Sequence, residues 1–150
     1  MRPDVDEQLA GIAEILERVV APAVDDPYAS DVLVGVTAVL HGIANGWADV
    51  ASFLAWDARE TLALLVEAAP VLTDPSVIGV ADDARALAAE PPMPLATRAL
   101  AEHHTQARAL LARVAPVLPE GEHRTRVAAH MRARVERYPI RAQARMPGQR

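Results

Sequence analysis

The sequence predicts an all-α fold, a single-domain bundle of five or six helices with short Pro- and Gly-containing connections. Three observations lead there. Apolar residues recur at spacings of three and four along the chain. No segment alternates as a half-buried strand would. Proline and glycine fall between the periodic segments rather than through them. The 150 residues, 51% hydrophobic and 23% charged, suit one globular domain and leave enough Leu, Val and Ala for a core. The bundle is expected over residues 1–138, with 139–150 as a basic C-terminal tail.

The first helix is expected from about Val5 to Val20. Asp4 and Glu7 make an Asp-x-x-Glu start signal. Val5, Leu9, Ile12, Leu16 and Val19 then form one stripe at spacings of four, three, four and three. Pro22 and Asp25-Asp26-Pro27 separate it from a second helix running to about Leu54. The stripe of that helix is Tyr28, Val32, Val36, Val39, Ile43, Trp47 and Val50, and Leu33, Val34 and Leu40 widen its apolar surface. A helix so apolar is central or covered by a partner. Gly35, Gly42 and Gly46 permit close approach of another backbone, and Asn45-Gly46 is an alternative helix end, because both residues tolerate positive φ. Asp25, Asp26 and Asp31 read as helix-start carboxylates.

Asp57, with Glu60 three residues on, is expected to cap a third helix reaching about Ala69. A short fourth helix spans about Ile78 to Ala89, and Glu90-Pro91-Pro92-Met93-Pro94 breaks the chain. The fifth helix, about Leu95 to Val114, turns Leu100, Leu110, Leu111 and Val114 inward. The sixth, about Glu122 to Arg137, does so with Val127, Met131 and Val135, and Pro139 stops it.

Composition removes several classes of chemistry. There is no cysteine, hence no disulfide framework, zinc-thiolate site or thiol nucleophile. Ser30, Ser52 and Ser76 lie in no Gly-x-Ser-x-Gly turn, and no Gly-rich phosphate loop is present. Glu-x-x-His occurs once, at Glu120–His123, across a turn, whereas di-iron bundles use it on two helices. No metal or cofactor is therefore expected. His103 and His104 read as core or boundary side chains. The N-terminus has no signal-peptide core. The most apolar run, Val32 to Ala48, contains His41 and Asn45 between Asp31 and Asp49. A cytoplasmic protein without membrane contact is the expectation.

Charge is divided unevenly. Every one of the 15 basic residues is arginine; residues 1–123 carry a net −12 and residues 124–150 a net +7. Arg134, Arg137 and Arg141 share helical spacing and are expected to face outward, docking an acidic partner surface or the phosphates of a CoA-like ligand. Nucleic acid is not expected, because the body is acidic and no aromatic platform accompanies the arginines. Leu33, Val36, Leu40 and Trp47 are expected at a homo-oligomer or partner interface. The function these features suggest is a helical accessory or interaction protein without catalysis. The alternative is a small-ligand binder or stand-alone enzyme with a pocket between the second and fifth helices, using His41, Asp49 and His103.

Three stretches carry a resemblance. Val19-Val20-Ala21-Pro22-Ala23-Val24-Asp25-Asp26-Pro27-Tyr28-Ala29, then Ala55-Trp56-Asp57, and the closing Ala129-His130-Met131-Arg132-Ala133-Arg134-Val135 resemble a family of small bacterial all-helical proteins of unknown activity. The Pro91–Pro94 stretch lies outside the likeness. Members are typically encoded beside aminoglycoside-phosphotransferase-like kinases and acyl-CoA dehydrogenases. The resemblance implies an accessory partner of such a kinase, in pathways that phosphorylate hydroxyacyl-CoA compounds. It carries over no functional residue.

Overall fold

Helix α1 (Val5–Ile15) begins at Asp4, whose backbone N–H donates to the Glu7 carboxylate at 3.2 Å. The computed structural model describes residues 4–93 and 96–140, and these contain five α-helices and no strand. The remaining helices are α2 (Pro27–Ala68), α3 (Val80–Ala89), α4 (Thr97–Val114) and α5 (Glu122–Arg137). The all-α class read from spacing is thus the observed one. Arg141 and the rest of the tail beyond Ile140 lie outside the described residues.

The chain divides into two compact units: residues 4–50 with Pro139 and Ile140, and Ala51–Tyr138. In the first unit α1 is shorter than its apolar stripe suggests. A π turn (Leu16–Val20) and a 3₁₀ turn (Ala21–Ala23) follow it, ahead of α2. Asp26 caps α2, its Oδ1 accepting the Ala29 N–H at 2.8 Å, and Pro27 occupies the first turn, where a missing N–H costs nothing. Glu17 and His41 meet at 3.2 Å.

The two expected helices meeting near Leu54 are one helix of 42 residues. Asn45-Gly46 does not end it, because neither residue takes a positive φ. Gly46 serves close approach instead: a Cβ there would overlap the Pro139 carbonyl. From Ala51 to Ala69 no Gly or Pro interrupts the chain, and Asp57 is mid-helix rather than a cap. The merged stretch Pro27–Val71 contains an 18-residue window of mean hydropathy 1.2, of which 11% is buried. By length and composition alone it could cross a membrane.

The second unit holds the main core. Ala58, Leu62, Leu65 and Ala68 from α2 pack with Val77, Val80 and Ala84, with Ala107, Leu111 and Val114 from α4, and with Leu118 and Val127. A 3₁₀ turn at Pro75–Val77, capped by Asp74 Oδ1 on Ser76 N at 2.8 Å, leads toward α3. Gly79 supplies the left-handed residue (φ 87) just before α3.

Helix α5 has a different inward face from the one its apolar residues suggest. Met131 and Val135 are exposed, whereas Val127 and His130 are buried and Arg134 is partly buried. The spacing three-then-four is kept, but polar residues carry it.

Candidate functional site

Three helices of the second unit bring charged side chains together inside the apolar core. Asp57 comes from α2, between Phe53 and Thr61 on one stripe, each four residues away. His104 comes from α4, and His130 and Arg134 from α5. Asp57 is fully buried. Its Oδ2 accepts from His104 Nε2 and from Arg134 Nε, both at 2.6 Å. His130 Nε2 lies 2.9 Å from Oδ1, though Oδ1 receives no aligned hydrogen bond, and 3.1 Å from Thr61 Oγ1.

Burial raises the Asp57 pKa and is the largest single influence on it. The hydrogen bonds from His104 and Arg134, together with their charge, outweigh it and hold the carboxyl below its ordinary value. Asp57 is therefore an ionised acceptor, so His104 must present an N–H from Nε2. For His130, burial and the Arg134 charge push the pKa down, against the pull of Asp57. Neutral His130 beside an ionised aspartate follows.

Aromatic rings cover the cluster. Trp56 lies 5.4 Å from His130, and the Arg137 guanidinium sits over Trp56 at 4.4 Å. Phe53 meets His104 at 6.3 Å and the edge of Tyr138 at 5.4 Å. Outside the carboxylate, the guanidiniums of Arg108 on α4 and Arg134 on α5 both approach Met131 Sδ, at 3.1 and 3.7 Å. Such a cluster can fix three helices in register. It also leaves His104, 17% exposed at its side chain, oriented by a buried carboxylate.

The residues singled out from the sequence are distributed differently. Arg134 does not face outward: it shares the inward stripe with Val127 and His130, seven and four residues earlier, and meets the buried Asp57. Arg137 is exposed and stacks on Trp56. Arg141 lies outside the described residues. Leu33 and Leu40 are half-buried in the first unit, while Val36 and Trp47 are 45% and 38% exposed. His41 and Asp49 belong to the first unit and His103 to the second. His103 Nε2 donates to the Leu87 carbonyl at 3.0 Å. It also lines a cavity of about 860 Å³ with Ala55, Leu62, Val66, Met93 and Leu100.

Asp57, Thr61, His104 and His130 were not among the expected site residues. A weak signal existed: Phe53, Asp57, Thr61 and Leu65 repeat every four residues, placing a carboxylate and a hydroxyl on an otherwise apolar stripe. Among the described residues, no group of three or more histidine or carboxylate side chains is placed to hold a metal. No family model, curated protein or solved structure matches this chain.

Proposed function

We propose that this chain is a helical interaction protein that works by assembly, with the first unit as its assembly surface and a second copy as the occupant. One observation carries the reading. The stripe expected to be the buried face of the second helix is largely uncovered: Val32, Val36, Val39 and Trp47 are 47%, 45%, 50% and 38% exposed. Ile12, Ile15 and Val19 before it are 48%, 58% and 66% exposed. Large apolar side chains left uncovered at helical spacing mark an interface.

A second copy fits for two reasons. Two helical segments alone cannot cover apolar stripes this wide, and a second pair supplies the missing layer of a four-helix arrangement. At about 100° per residue, Glu7 and Glu14 fall off the arc of Ile12, Ile15 and Val19, and Asp31 and Asp49 fall off the arc of Val32, Val36, Val39 and Trp47, which limits like-charge repulsion when these arcs pair. The family resemblance points instead to a phosphotransferase-type kinase or an acyl-CoA enzyme as a partner for the same face. Sedimentation velocity separates the two. A dimer that Val36→Ser with Val39→Ser converts to monomer supports self-association. A monomer that remains monomeric at high concentration sinks it.

The cavity beside His103 favours a second reading, a binder of a small apolar molecule. Its volume lies in the range of ligand pockets, roughly 300–1,000 Å³. Its polar lining is already engaged: Arg59 with Glu60, Glu67 with Arg126, and His103 with Leu87. The ligand would therefore be neutral. Ala63 also lines the cavity. Saturable Nile red fluorescence, abolished by Ala63→Phe, would support this role; equal fluorescence in the variant would remove it.

A further inference from the structure

We propose that Arg108 and Arg134 form a binding site for a small oxyanion of phosphate type, seated where the Met131 thioether now lies. The two guanidiniums come from different helices, α4 and α5, and their Nη1 groups converge on one sulfur at 3.1 and 3.7 Å. A thioether is a weak acceptor, a poor match for two charged donors. Arg134 keeps its Nε on Asp57, which leaves Nη1 as the donor aimed at this point. The carboxylate that acts electrostatically on Arg108 is Asp57, and that carboxylate is already bonded to His104 and Arg134. Two guanidiniums against one carboxylate leave an excess positive charge.

The electrostatics agree with the geometry. Burial, then repulsion from Arg134, lowers the Arg108 pKa. Two like charges held partly buried side by side are relieved by an anion between them. Donors arriving from two helices suit the tetrahedral oxygens of a phosphate, whereas a planar carboxylate is satisfied by a single fork. Met131 is partly exposed and unbranched, so its side chain can rotate away without disturbing the core. The site lies wholly in the second unit and does not depend on the assembly reading.

Inorganic phosphate is the probe, with sodium chloride at equal ionic strength as the reference. The melting temperature of the full chain should rise saturably with phosphate and not with chloride. Arg108→Gln should weaken the phosphate Kd about tenfold or more. Without phosphate the same variant should melt at the wild-type temperature or above, because repulsion from Arg134 is gone. Met131→Leu should keep the phosphate response. The proposal is overturned by a wild type with no saturable rise, by an Arg108→Gln protein that responds as wild type, or by one that unfolds. Loss of the response in Met131→Leu would also overturn it.

Discussion

Arg134 Nε lies 2.6 Å from Oδ2 of Asp57, a residue 77 positions earlier in the chain, and the aspartate is fully buried. An ion pair so placed is expensive to form and more expensive to break. Removing the carboxylate strands a guanidinium that is only 19% exposed. Asp57→Ala is therefore expected to cost about 3–5 kcal/mol in chemical denaturation. A loss under about 1 kcal/mol would mean that Arg134 finds water easily and that the network does not hold the helices.

Arg134 and Arg137 should behave differently although they are one turn apart. Arg134→Gln removes a charge-assisted bond to a buried acceptor and should destabilise clearly, by about 1.5–3 kcal/mol. Arg137→Gln loses only an exposed stacking contact on Trp56, worth about 0.5–1 kcal/mol. Equal effects in thermal melts would contradict the separate placements.

Stability should fall on acidification in two steps. His130 has its folded pKa below the ordinary 6.5, so the unfolded chain takes up the proton first. Its contribution is complete above pH 6.5 and declines as pH falls toward the folded value. Asp57 likewise sits below its ordinary 3.8, so its contribution persists above that pH and is lost as pH falls further, through the folded pKa. Denaturation midpoints across pH 3–8 should lose the first step in His130→Gln. A first step that persists in that variant would assign it to another group.

Gly46→Ala tests the close approach in the first unit. The added methyl meets the Pro139 carbonyl, which is backbone and cannot swing aside. A loss of about 1–3 kcal/mol is expected. Gly35→Ala has open space around its Cβ and should be neutral or slightly stabilising, since alanine favours helix. Equal effects in denaturation would show that Pro139 does not sit against α2.

The fold class and the start and end of α5 were legible because spacing and proline placement decide them locally. The cluster was not, because apolar residues were taken as the sign of burial. On α5 that rule selects Met131 and Val135, which are exposed, in place of His130 and Arg134. Asp57 was misread for a related reason. Asp-x-x-Glu is a genuine helix-start pattern, but here the carboxylate serves side chains from α4 and α5, partners that no local window contains. The stripe of α2 was expected to face inward, yet Val32, Val36, Val39 and Trp47 are exposed. Its exposure was not readable, because it depends on what other elements leave uncovered.

The most direct test of the assembly reading is sedimentation velocity of the full chain across a concentration series, with wild type beside Val36→Ser/Val39→Ser. The substitutions alter side chains that are already half-exposed, so each folded chain should survive them, as circular dichroism can check. A wild-type dimer and a folded monomeric variant are the expected result. A wild type that stays monomeric at the highest concentration, or a variant that dimerises equally well, would contradict it.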